Sequence, residues 1–188
     1  MVATRRSRPA AVLLDRDGTL VFDVAYNADP AQVRPVPGAA MALARLRDAG
    51  VPLALVSNQS GVARGLLTMA QVEEVNHRLE ELVGPLGPWL VCPHAPDDGC
   101  GCRKPAPGLI LAAAAALGVH PGECVVIGDI GADMGAARAA GARGILVPTP
   151  VTRAEEVLEA SEVADTLEEA VDLLVGPGDA VDLLVGDR

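Results

Sequence analysis

Five short apolar runs punctuate the chain: AAVLLD at 10–15, VPLALVSN at 51–58, WLVCPH at 89–94, CVVIGD at 124–129 and GILVPT at 144–149. Each has the length of a strand and is apolar nearly throughout, the pattern expected where both faces of a parallel sheet are covered. Between the runs the spacing turns helical. PGAAMALARLRDAG opens with Pro37 and stops at Gly50, while TMAQVEEVNHRLEELVG begins with a Thr68/Gln71 capping box and sets Val72, Val75, Leu79 and Leu82 on one face. PGLILAAAAALG and ADMGAARAAG follow. This alternation predicts an α/β fold with an open, doubly wound, mainly parallel sheet, in which ligands bind at the carboxyl ends of the strands. The polar tails DRDGT, SNQS, CPH and GD would then gather along one edge.

Composition narrows the picture. With 188 residues the chain fits a single domain, 1–188, that can bury roughly 70% of its unfolded surface. Half the residues are hydrophobic but only Phe22, Tyr26 and Trp89 are aromatic, so the core must be built from Ala, Val, Leu and Ile. The formal charge of -10 repels nucleic acid and anionic membrane surfaces. The apolar run behind the basic MVATRRSRPA start is too short for a signal-peptide core or a membrane span, so a cytoplasmic protein is expected. Near the end, AVDLLVGPGD at 170–179 is followed by AVDLLVGD at 180–187, a short duplication (170–187) read as extending a C-terminal helical tail.

Candidate chemistry lies at the strand ends. Asp15 and Asp17, with Gly18 giving the backbone room to turn, can hold a hard cation such as magnesium, or one of them can attack phosphorus while the other moves protons. Taken alone, such a pair is often a solvated turn. GDIGAD adds Asp129 and Asp133; the latter also suits a helix N-terminus. Converging carboxylates repel one another unless a cation sits among them. The chain has one lysine, Lys104, beside Arg103 and directly after a cysteine cluster.

That cluster, CPHAPDDGCGC, follows the spacing C-x-H-x5-C-x-C over Cys92, His94, Cys100 and Cys102. Four ligands of this type satisfy Zn2+ tetrahedrally and leave no open position, so the metal would be structural, in a loop spanning 92–102. Disulfides suit a cytoplasmic protein poorly, and a redox pair would normally show C-x-x-C. Cys124 lies in a buried run and reads as core; His77 and His120 read as surface residues without partners.

DRDGT, SNQS, RKP and GDxxxD, in that order at successive strand ends, resemble the four motifs of the haloacid dehalogenase-like (HAD) phosphohydrolases, across residues 10 to about 150. The resemblance implies a Rossmann-like HAD sheet. It casts Asp15 as nucleophile, Asp17 as general acid and base, Ser57 as a phosphate hydrogen-bond donor and Lys104 as charge stabiliser. Mg2+ would be held by the carboxylates of Asp15 and Asp129 and the Asp17 carbonyl, with Asp133 behind them.

More narrowly, DRDGTL, FDVAYN, SNQSGVARG and CPHAPDDGCGCRKPAPG are similar to the zinc-loop D-glycero-D-manno-heptose 1,7-bisphosphate 7-phosphatases. Their sister group, the histidinol-phosphate phosphatases, shares DRDGT and the cysteine loop and remains the alternative. The likeness implies a sugar phosphate substrate touching Asp23, Val24, Ala25, Tyr26, Ser57, Asn58, Gln59, Ser60, Arg103 and Lys104, cofactors Mg2+ and Zn2+, and a monomer. Ser57 stands where Thr is common, and Ile130 follows Asp129 where some heptose enzymes carry a lysine. The five-residue stretch between His94 and Cys100 is like that of the histidinol group. No long insertion separates the first two motifs, so the enzyme is expected to be capless.

Overall fold

Residues 8–177 are described by a computed structural model of the chain. Five parallel strands, β1 (Ala11–Leu14), β2 (Leu53–Asn58), β3 (Trp89–Cys92), β4 (Cys124–Gly128) and β5 (Arg143–Leu146), form one sheet in the order β3-β2-β1-β4-β5. Every residue of β1 is buried, as its unbroken apolar run requires of the central strand.

The pleat divides each strand between two cores. Val12, Leu14, Leu53, Leu55, Val125 and Ile127 face one layer, completed by α1 (Ala39–Asp48), α2 (Met69–Val83) and α6 (Leu167–Val175). Ala11, Leu13, Ala54, Val56, Cys124 and Val126 face the other, covered by the alanine-rich α3 (Gly108–Leu117) and α4 (Gly131–Ala140). Small alanines let α3 and α4 approach the sheet closely, while Leu and Val fill the other side. Each fully buried Leu or Ile contributes about 1.5–3 kcal/mol relative to exposure.

The expected elements appear with their ends within three residues of the expected bounds, mostly trimmed, while β5 and α4 each start one residue earlier. Thr68 caps α2, accepting from Gln71 N while Gln71 Oε1 accepts from Thr68 N. One helix lies beyond the anticipated set, the short α5 (Ala154–Glu159), and α6 begins at Leu167, three residues before the duplicated segment. The first copy of the duplicated segment ends α6, whose C-cap is Gly176; the second copy, 180–187, lies outside the described residues. Two histidine readings need correction. Both rings are exposed, but neither is without a partner: His77 meets the Trp89 ring edge-on at 4.7 Å, and His120 Nδ1 accepts from Gly122 N.

Topology fixes where a site can form. From β1 the chain winds outward through β2 to β3, then crosses back to β4 on the other side, so β1 and β4 flank the switch point. Their register sets Leu14 beside Ile127, which places Asp15 and Asp129 at the mouth of that crevice.

Candidate active site

At the end of β1 the backbone stays in register for one more residue, Asp15 N donating to Ile127 O at 3.0 Å, and then turns. Gly18 makes the turn at φ +84°, and a Cβ there would lie 2.2 Å from Asp129 Oδ2, so only glycine lets the two segments meet. Asp15, Asp129 and Asp133 converge with their carboxylate oxygens within 4.8 Å of one another. Lys104 reaches into this cluster: Nζ donates to Asp15 Oδ1 at 2.6 Å and to Val56 O at 2.9 Å, and forms an ion pair with Asp133 Oδ1 at 2.6 Å. Asp133 has no exposed surface and accepts from Ile130 N at the first turn of α4, so it both caps that helix and anchors the lysine.

Three carboxylates facing one ammonium leave two net negative charges in a buried space. Desolvation accordingly raises the Asp15 carboxyl far above its ordinary value against the pull of Lys104, with Asp133 and Asp17 adding to the rise. Asp129 is pushed up to about 7 by desolvation and then by Asp133. Lys104 is held above its ordinary range by Asp133 and Asp15, which outweigh its own burial. The oxygen-only donor set and its charge deficit fit a hard divalent cation. Thr152 Oγ1 donates to Asp129 O at 2.6 Å and Thr149 Oγ1 to Asp129 Oδ2 at 3.4 Å, so the loop after β5 steers this carboxylate.

Asp17 is only partly buried and is held by three hydrogen bonds: Arg16 Nε and Nη2 fork its two oxygens at 3.1 and 2.9 Å, and Gln59 Nε2 donates at 2.7 Å. From β2, Ser57 is 1% exposed and its hydroxyl accepts from Gln59 Nε2, leaving its own proton to donate. Asn58 binds the Lys104 backbone. A cleft of about 410 Å³ is lined by Asp15, Asp17, Asp129 and Lys104 together with residues 23–26, 58–60 and 103; Ser57 is not part of its lining. Tyr26, in the left-handed region at φ +51°, accepts from Arg64 Nη1 at 2.7 Å. No inserted domain covers the cleft among the described residues.

The four candidate zinc ligands also converge. Cys92 Sγ lies 3.1 Å from Cys102 Sγ and 3.7 Å from Cys100 Sγ, and His94 Nδ1 is 3.3 Å from Cys102 Sγ, with no disulfide. Desolvation lifts the Cys92 thiol up to about 12, whereas Cys100 falls to about 7 because hydrogen bonds led by the Arg103 backbone outweigh desolvation. Three thiols and one imidazole with their donor atoms within 4.8 Å of one another form a donor set that suits zinc. Cys124 is core, as expected.

Sequence reasoning passed over Arg16, Asn76, Thr149 and Thr152. Arg16 stood inside the DRD motif, and Asn76 was a polar break in the apolar stripe of α2; the threonines offered no local signal.

Comparison with known proteins gives three findings. Residues 101–170 match a family model described as HAD-hydrolase-like. The chain is 39% identical over 161 residues to the D-glycero-beta-D-manno-heptose-1,7-bisphosphate 7-phosphatase of Pseudomonas putida, covering 83% of this chain and 91% of that one; the Pseudomonas aeruginosa protein of the same name is 41% identical over 143 residues, covering 73% and 80%. Among solved structures, D,D-heptose 1,7-bisphosphate phosphatase from B. bronchiseptica complexed with magnesium and phosphate superposes with a TM-score of 0.78 at 32% identity, over 88% of this chain and 98% of that one.

Proposed function

The chain belongs to the D-glycero-D-manno-heptose-1,7-bisphosphate 7-phosphatase family of HAD-type phosphatases, and we propose that it hydrolyses the 7-phosphate of D-glycero-D-manno-heptose 1,7-bisphosphate. The observation that carries the reading is the Asp15 carboxylate at the switch point, clamped by Lys104 at 2.6 Å in a cleft open to solvent. The names of the relatives favour the heptose over histidinol phosphate.

In this reading an Asp15 oxygen attacks phosphorus and the bond to the sugar oxygen breaks, giving an aspartyl phosphate. Asp17 delivers its proton to the departing oxygen, then takes one from the water that attacks the aspartyl phosphate, returning Asp15 and releasing inorganic phosphate. Lys104 neutralises charge on the transferring group, and Ser57 supplies a hydrogen bond. Asp15, Asp129 and the Asp17 carbonyl would hold Mg2+, which supplies positive charge against the phosphoryl oxygens. Asp133 holds Lys104 in place. Cys92, His94, Cys100 and Cys102 would hold Zn2+ as a structural tie, and residues 23–26, 58–60, Arg103 and Lys104 would contact the sugar phosphate. Reduced thiolates of this kind suit the cytoplasm.

Measuring phosphate release from heptose 1,7-bisphosphate and histidinol phosphate, with magnesium and with a chelator, tests the reading. Magnesium-dependent release with kcat/KM far higher for the heptose is expected. Preference for histidinol phosphate, or turnover indifferent to magnesium, would overturn it.

A further inference from the structure

Arg16 is the largest fully buried side chain among the described residues, a charged group at 2% exposure within the site itself. Burying a guanidinium is costly unless its charge is paired and its N–H groups are used. Here Nε and Nη2 fork Asp17, and the remaining nitrogen, Nη1, donates to Asn76 Oδ1 at 3.0 Å. A guanidinium only donates, so the Asn76 amide must turn its oxygen to Arg16, which sends Nδ2 into the interior without a hydrogen-bond partner. Asn76 is wholly buried, on the same face of α2 as Val72, Val75 and Leu79, where an apolar residue would pack without that orphaned group. An asparagine kept there at such cost points to what it holds.

Given the reading of Asp17 as general acid and base, we infer that Arg16, braced by Asn76 of α2, is a positioning residue that sets the direction of the Asp17 carboxylate toward the leaving oxygen. In a site with no inserted domain to close over the substrate, the proton donor needs its orientation built into the floor, and the fork fixes both carboxylate oxygens at once. Gln59, just past the end of β2, adds a third restraint. Lysine could supply Arg16's charge but not its two parallel bonds.

Leaving-group dependence separates this role from mere support of the fold. A misdirected acid matters when the departing oxygen is strongly basic and matters little when it leaves easily. Phenyl phosphate and p-nitrophenyl phosphate have nearly the same shape but differ in this property, and kcat/KM reports only steps up to departure of the alcohol. Arg16→Lys and Asn76→Leu are expected to lose at least about tenfold more kcat/KM on phenyl phosphate than on p-nitrophenyl phosphate, within the span of general acid catalysis. Asp17→Asn serves as the benchmark. Equal losses on both esters, or none, in folded Asn76→Leu alongside a selective Asp17→Asn would overturn the inference and leave the phosphatase reading standing. An unselective Asp17→Asn would instead sink the acid assignment beneath it. Asn76→Leu leaves the Arg16–Asp17 pair intact and keeps the test available should Arg16→Lys unfold.

Discussion

Asn58 and Lys104 hold each other by two reciprocal hydrogen bonds: Asn58 Nδ2 donates to Lys104 O at 3.1 Å, and Lys104 N donates to Asn58 Oδ1 at 3.1 Å. The end of β2 thus grips the backbone of the residue whose ammonium clamps Asp15, so the lysine is aimed from both its main chain and its side chain. Asn58→Leu removes both bonds, and Asn58→Asp sets a carboxylate oxygen against the Lys104 carbonyl. Each bond is worth about 1 kcal/mol, so kcat should fall about ten- to a hundredfold in both variants. Steady-state kinetics on the heptose bisphosphate checks this; an unchanged kcat would show that the ion pairs alone position Lys104.

Gly18 should tolerate no side chain. Alanine would bring a Cβ to 2.2 Å from Asp129 Oδ2 and strain a backbone at φ +84°, costing about 1–3 kcal/mol from the conformation alone. Gly18→Ala is expected to lower the thermal midpoint and to weaken magnesium binding in calorimetry, because relief of the clash moves Asp129.

Asp15→Asn should reduce kcat by on the order of 10³-fold or more, since an amide oxygen cannot form the aspartyl phosphate. It also removes one carboxylate from a buried cluster that carries too many, so the thermal midpoint in chelator should hold or rise. A variant that keeps full activity would remove Asp15 from the nucleophile role.

The strands were legible because burial on both faces writes them as unbroken apolar runs, and Asp15, Asp129 and Lys104 because they sit next to those runs or beside the cysteine cluster. The Arg16–Asn76 contact was not: it joins residues 60 apart, and one asparagine in an apolar stripe carries no label of its partner. Thr149 and Thr152 were hidden for a similar reason, since their hydroxyls matter only once β5 is set beside β4. Nor could spacing reveal that Asp133 is wholly buried and that Lys104 spans it and Asp15.

The cysteine loop should govern Arg103 more than Lys104. The Arg103 guanidinium donates to His94 O at 3.3 Å, the backbone of a candidate ligand, whereas Lys104 keeps Asn58, Asp15 and Asp133 if the loop loosens. Zinc removal or Cys102→Ser should therefore raise KM about ten- to a hundredfold, the span typical of lost metal-site support, while kcat changes less and magnesium affinity persists. Kinetics alongside metal analysis by emission spectroscopy checks it. Unchanged KM and local order after stripping would refute a supporting role for the loop.

Magnesium should stabilise the protein more as pH rises. Both Asp15 and Asp129 have ordinary values of 3.8; desolvation raises Asp15, and Asp129 goes to about 7. The folded, metal-free protein therefore binds more protons than the unfolded chain once pH exceeds about 4. Their contribution to stability is full on the acid side and drains away as pH climbs through 7. Magnesium needs the ionised carboxylates and must displace those protons, so below pH 7 its apparent affinity should weaken by about tenfold per pH unit for each proton released. Melting curves with chelator should show the midpoint falling between pH 6 and 8.5, and the upward shift produced by saturating magnesium should be larger at pH 8.5 than at pH 6. A shift independent of pH would mean that the carboxylates are already ionised before the metal arrives, and that Lys104 alone offsets their mutual repulsion.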